Sequence, residues 1–177
     1  MFTSNRVQLR KMVPEDIERY HTWRNDIDVM NSTSLSLDIY SLDETREFVE
    51  NVMLNAGSSK SYLIEEKESK LSLGVTSLIH IDYKNRNAEC IIDIGEKDYW
   101  GKGYATEALK LLLDYAFLEL NLHRISLKVF SFNERAIAVY YKLGFKQEGV
   151  SRQSLYREGK WHDIIHMGIL KEEYHIA

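Results

Sequence analysis

The stretch EKDYWGKGYATEALKLLLDYAFLEL, residues 96–120, decides how the chain is read, because two closely spaced glycines run directly into a long amphipathic segment. Ala105, Ala108, Leu109, Leu112, Ala116 and Phe117 recur at helical spacing, with Lys110, Asp114 and Glu119 on the other faces, so a helix is predicted just after the glycines. The first amides of such a helix have no intrahelical acceptor and lie at the positive end of its dipole. Gly101 and Gly103 have no Cβ, so they accept turn dihedrals closed to other residues and let an anion approach the main chain; a tight turn needing glycine for geometry alone uses the same pair. Two phosphate motifs are excluded by spacing. Five residues separate Gly95 from Gly101 and Gly103 follows Lys102, which breaks the P-loop pattern. Thr106 stands where a dinucleotide fingerprint requires Gly or Ala, and that fingerprint opens the first βαβ unit of a parallel sheet.

Outward from this junction the hydrophobic period sets the elements. Segments 61–66, 71–82 and 87–95, rich in Leu, Ile and Val and separated by the polar turns KESK and YKNR, predict a three-stranded antiparallel meander. Residues 124–130 (RISLKVF) predict the strand after the helix, Asn133 caps a helix over Glu134 to Leu143, and Gly144 stops it. Phe145 to Tyr156 and Trp161 to Leu170 alternate around REGK as a closing hairpin. On the N-terminal side, 6–12 predicts a strand. Pro14 opens a helix with Ile17, Tyr20 and Trp23 at helical spacing that ends near Asn25. Asn31 to Ser41, rich in Ser, Thr and Asn, predicts a loop. A second helix follows from Leu42 to Asn55, with Phe48, Val49, Val52 and Met53 as its apolar stripe. The expected fold class is α+β: a mixed, mostly antiparallel sheet of about seven strands with about four helices, in the order β-α-α-β-β-β-α-β-α-β-β.

Composition narrows the function classes. The chain has 177 residues, with 23 Lys+Arg against 27 Asp+Glu and a formal charge of −4, which suits one globular domain over 1–177 and argues against a general nucleic-acid binder. One cysteine, Cys90, permits no internal disulfide, and MFTSNRVQLRKM lacks a charged-then-apolar leader, so the cytoplasm is the expected compartment. No apolar run reaches the roughly 18 residues of a membrane span, and no membrane association is expected. HDIIH, 162–166, comes close to the zinc pattern H-E-x-x-H, but that pattern works on a helix and this segment reads as a strand; no metal site is expected. No sequence feature sets the oligomeric state, and a homo-oligomer is allowed.

WGKGYATEAL (100–109), followed after one helix and one strand by NERAIAVYYKLGF (133–145), resembles the acyl-CoA-binding core of the GNAT superfamily of N-acetyltransferases. The likeness is greatest to the branch of ribosomal-protein N-terminal and spermidine acetyltransferases. It extends from VQLRKMVPEDIERYHTWRND to REGKWHDIIHMGIL and is most specific over 86–149. Gly103 and Ala105 fit the family's phosphate signature, whereas Trp100 stands at its Arg/Gln position. The resemblance implies acetyl-CoA as co-substrate, its pyrophosphate on the main chain of Trp100, Gly101, Lys102, Gly103, Tyr104, Ala105 and Thr106. Its pantetheine arm would pair like an added strand with Ile92, Asp93 and Ile94, between strands 87–95 and 124–130, which the family splays apart. Asn133 would bond the arm from the far side, with Ala136 leaving room.

Acetyl transfer to an amine needs a neutral nitrogen, a donor for the developing oxyanion and a proton for the departing thiolate. The oxyanion donor is expected to be a backbone N–H near Asp93 or Ile94. Asn133, Ala136 and Tyr140 share one helical stripe, and by its spacing to Gly144-Phe145 Tyr140 matches the family's acid tyrosine; taken without the family, it reads rather as a core aromatic. Tyr141 should face elsewhere. Glu89 and Asp93 share a strand face and are candidate bases, or else recognition or solvent-side carboxylates. Cys90 reads as a small buried apolar residue. Trp23, Asn25, Ser32 and Tyr40 fall where this branch builds its acceptor pocket, with packing the other reading for Trp23. The expected activity is direct acetyl transfer to a protein N-terminal α-amine. The alternatives are a polyamine or other small amine as acceptor, and a non-catalytic CoA-binding sensor.

Overall fold

The structure is a computed structural model and describes residues 1–174. Seven strands form one sheet in the order β1-β2-β3-β4-β5-β7-β6. They are β1 Val7–Arg10, β2 Lys60–Glu66, β3 Ser72–Asp82, β4 Asn87–Ile94, β5 Arg124–Phe130, β6 Lys146–Arg157 and β7 Lys160–Leu170. Every neighbouring pair is antiparallel except β4 and β5. The helices are α1 Ile17–Arg24, entered through a 3-10 turn at Pro14–Asp16, then α2 Ile27–Asn31, α3 Leu42–Phe48, α4 Tyr104–Asp114 and α5 Glu134–Lys142. This is the mixed, mostly antiparallel α+β sheet of seven strands expected from the sequence.

Both faces of the central strands are covered, which is why β2 is buried continuously from Ser61 to Glu65. Leu109, Leu112 and Phe117 from α4 and its extension, with Tyr140 and Leu143 around α5, pack on one face against Ile64, Leu78, Ile125 and Met167. Ile17, Tyr20 and Trp23 of α1, with Val49 and Met53, pack on the other against Leu63 and Val75. Two details depart from the sequence expectation. Asp26, whose carboxylate accepts from the amides of Asp28 (3.0 Å) and Val29 (3.4 Å), starts the unanticipated short helix α2. The second helix widens into π-type turns over Val49–Leu54; the wider turn keeps Val49 and Met53 inward and rotates Val52 out to solvent.

The sheet opens where the parallel pair parts. β4 and β5 pair only over Asn87–Glu89 and Arg124–Ser126. Beyond this point β4 stays with β3 as far as Ile94, and β5 stays with β7 as far as Phe130. The second half of β4 therefore presents an unpaired edge to the wedge between the strands, where an extended ligand can add main-chain hydrogen bonds.

Candidate active site

The wedge leads into a cavity of about 530 Å³. The glycine loop forms its mouth. Gly101 and Gly103 adopt φ of +73° and +87°, left-handed values that explain glycine at both positions. Gly103 is the N-cap of α4 and no side chain caps this end, so the first-turn amides of Tyr104, Ala105 and Thr106 are left for an anion. The loop is braced from the N-terminal segment: Arg6 donates to the carbonyl of Lys102 (3.1 Å) and to Glu107, and its guanidinium lies 4.5 Å from the Tyr104 ring centroid. Ser4 Oγ also donates to Glu107, at 2.7 Å. Local sequence gives no sign of this brace, because its partners stand about a hundred positions apart.

Of the residues expected at the coenzyme, Ile92, Asp93, Ile94, Trp100, Gly101, Gly103, Tyr104, Ala105, Thr106, Asn133 and Ala136 line this cavity. Lys102 does not. Its carbonyl faces Arg6 and its ammonium lies 6.0 Å from the Tyr99 ring, because the left-handed glycines on either side turn it away. Trp100, at the Arg/Gln position of the family signature, donates its indole N–H to the Ile94 carbonyl (2.7 Å), tying the loop to the end of β4. Asn133 caps α5 through Oδ1 (3.2 Å to the Ala136 amide) and donates through Nδ2 to the Ser32 carbonyl (3.3 Å). Three cations also line the cavity, Lys128, Arg135 and Lys142, and the guanidinium of Arg135 lies 4.8 Å from the Trp100 ring. Arg135 and Lys142 are seven apart on α5, a spacing that repeats one helix face and was overlooked in the sequence. Uncapped amides, left-handed glycines and these cations together fit a polyanionic coenzyme.

Tyr140 reaches the cavity wall from α5 with 8% of its surface exposed. Burial, together with nearby Cys90 and Asp93, raises its pKa and keeps the phenol protonated. Tyr141, one step round the helix, is exposed. The Cys90 thiol is buried and pushed up to about 12, which makes it an inert wall residue rather than a nucleophile.

Asp93 lies at the junction of this cavity with a second groove of about 240 Å³ and lines both. Burial raises its pKa to about 6, against a hydrogen bond from Thr33 that lowers it. A carboxyl so poised is ionised at neutral pH yet basic enough to accept a proton. Glu89 shares its strand face but not its surroundings. Its carboxylate pairs with Lys128 (3.1 Å), stands where β4 and β5 are still bonded together, and lines neither cavity, so it is not placed to act as a base.

The residues expected around the acceptor divide. Ser32 lines the larger cavity and Tyr40 the groove. Trp23 is core: it is 4% exposed, its ring fills the space beside Gly95, and its N–H donates to Glu96 (2.7 Å). Asn25 pins the 31–41 loop to α1, accepting from the Tyr40 amide (2.8 Å) and donating to the Tyr40 carbonyl (3.1 Å), and it lines neither cavity. The sequence reading also overlooked Arg157. This β6 residue is 6% exposed and donates to the Asn31 and Ser34 carbonyls, both at 2.7 Å, clamping the same loop. HDIIH lies on β7, a strand; His166 bonds Ser151 Oγ (2.7 Å) and His162 packs edge-on to Phe132.

The fold and this site define an acyltransferase that uses a coenzyme A thioester, and comparison with known proteins agrees. Residues 6–146 match the family described as "Acetyltransferase (GNAT) domain". The spermidine N(1)-acetyltransferase of Escherichia coli K12 is 33% identical over 180 residues, covering 98% of this chain and 91% of its own. The putative ribosomal N-acetyltransferase YdaF of Bacillus subtilis is 40% identical over 101 residues, covering 57% of this chain and 55% of its own. The crystal structure of spermidine N-acetyltransferase from Vibrio cholerae in complex with CoA and spermine superposes with a TM-score of 0.88 at 29% identity, covering 97% of this chain and 99% of that one. The chain belongs to the GNAT acetyltransferase family and is an acetyl-CoA-dependent N-acetyltransferase. No helix among the described residues is long and apolar enough to cross a membrane.

Proposed function

We propose that the chain, acting as a single GNAT domain, acetylates a small primary amine, a polyamine or another small amine, rather than the N-terminus of a protein. The observation that carries this is the position of Asp93, where the coenzyme cavity meets a groove of only about 240 Å³ between the sheet and helices α1 and α3. Relatives from Escherichia coli and Vibrio cholerae that match along nearly the whole chain are named for spermidine, whereas the one named for ribosomal acetylation matches 57% of it. Both facts favour the small amine over the protein α-amine that the sequence pattern first suggested.

Acetyl-CoA, when bound, supplies an acetyl carbon activated as a thioester. The amides from Gly103 to Thr106 and the cations Arg135 and Lys142 would hold its phosphates, and the free edge of Ile92 to Ile94 would hold its arm. Asp93 takes the proton that the attacking nitrogen sheds as its new bond to the acyl carbon forms. Tyr140 gives its phenolic proton to the sulfur as the carbon–sulfur bond breaks, and a backbone N–H at Asp93 or Ile94 faces the acyl oxygen. The test is release of free CoA thiol with a panel containing spermidine, monoamines, diamines, amino acids and short peptides with free N-termini. Turnover of small amines is expected; turnover confined to peptides refutes the assignment, and tight acetyl-CoA binding without turnover of any amine supports a sensor instead.

A further inference from the structure

We propose that Arg24 makes the acceptor groove selective for an amine that carries an anionic group, such as a carboxylate, at its far end. This rests on the reading above that the groove takes the acceptor amine, and it departs from the polyamines for which the relatives are named. Among the described residues lining the groove, Asp93 and Arg24 are the only charged side chains. The rest of the lining is uncharged, with Tyr20, Tyr40 and Phe48 the largest side chains among apolar residues and the hydroxyls of Thr33, Ser34, Ser61 and Ser77. The groove is therefore bipolar, with a carboxylate at the cavity junction and a guanidinium on the α1 wall.

The guanidinium is held in place without a direct ion pair. It lies 3.7 Å from the Tyr40 ring centroid and 4.4 Å from that of Phe48, and one N–H donates to the Glu44 carbonyl (3.3 Å). Arg24 forms no salt bridge among the described residues. The acids nearby in α3 are engaged elsewhere: Glu44 accepts from the Ser41 amide (2.7 Å) and Asp43 pairs with Arg46 (2.6 Å). A preorganised, unpaired guanidinium suits a carboxylate or phosphate. A second ammonium beside Arg24 meets like charge, while the one carboxylate among the described lining residues, Asp93, stands at the cavity junction where the reacting amine is placed.

A matched pair of acceptors reads this directly. Wild-type protein with saturating acetyl-CoA is assayed by thiol release with 6-aminohexanoate and with 1,6-diaminohexane, which share a chain length and differ in the charge of the far end. The expected kcat/KM is at least about tenfold higher for the amino acid. Arg24→Gln should collapse that ratio and Arg24→Glu should invert it, with acetyl-CoA affinity unchanged in both. Equal or better use of the diamine by the wild type, or a ratio indifferent to Arg24→Gln, overturns the proposal while leaving small-amine acetylation intact. Absence of turnover with every small amine defeats the underlying reading and this inference with it. The wild-type ratio decides the matter even where an Arg24 variant fails to fold.

Discussion

Replacing Asp93 by Asn should make the protein more stable and far less active, and the structure sets the scale of both effects. Burial raises the Asp93 pKa from 3.8 to about 6. A shift of that size corresponds to about 3 kcal/mol of cost for holding the ionised carboxylate in the fold. The side chain is partly accessible through the cavities, so roughly half of this, about 1–2 kcal/mol, should be recovered by Asn, giving a Tm increase of about 2–8 °C at pH 7.5 for a chain of this size. The pH dependence fixes the cause. The folded-state pKa lies above the unfolded one, so the folded protein binds the extra proton between pH 3.8 and about 6, and its stability falls as pH rises through that window. The Tm gap between variant and wild type should therefore be full above pH 6 and shrink steadily towards pH 4. Thermal melts at pH 4.5, 6.0 and 7.5, run beside thiol release with the preferred amine, measure both quantities. Turnover of the variant should drop by about two orders of magnitude or more, and the acid limb of the wild-type profile should fall near pH 6. A variant that melts no higher than wild type at pH 7.5, or a gap independent of pH, refutes the burial argument; unchanged turnover refutes the role of Asp93 as base.

Tyr140→Phe removes only the phenolic oxygen from the cavity wall, so kcat should fall about 10²–10⁴-fold while the acetyl-CoA dissociation constant, read by calorimetry, changes little. Gly103→Ala places a Cβ at φ +87° and 3.2 Å from the Arg6 guanidinium, so acetyl-CoA affinity should weaken and Tm should drop, by about 1 kcal/mol of stability. Arg157→Ala strips the donors from the Asn31 and Ser34 carbonyls and frees the acceptor loop. A loss of about 2 kcal/mol in a denaturant melt is expected, with KM for the amine rising much more than KM for acetyl-CoA.

The elements themselves were legible along the chain because their causes are local. The runs rich in Leu, Ile and Val in 61–66 and 71–82, the apolar stripe after Gly103, the cap at Asn133 and the turn at Glu158-Gly159 each act within a few residues. The same locality brought eleven of the expected coenzyme residues to one cavity, since they belong to two strand–helix junctions. What the sequence withheld depends on contacts between distant positions. Whether β4 and β5 stay paired beyond Glu89 is settled by their other neighbours, β3 and β7. Two carboxylates on one strand face, Glu89 and Asp93, received different environments: Lys128 from β5 holds the first, and the opening wedge leaves the second between two cavities. Trp23 looked as suited to a pocket as to a core until Gly95 and Glu96, more than seventy positions away, enclosed it. Arg157 reaches back 126 positions to the acceptor loop, and Arg24 is left without a direct ion pair because the α3 acids are engaged elsewhere. Periodicity and capping operate over a few residues and are written in order along the chain, whereas burial and charge pairing belong to the space the folded chain encloses.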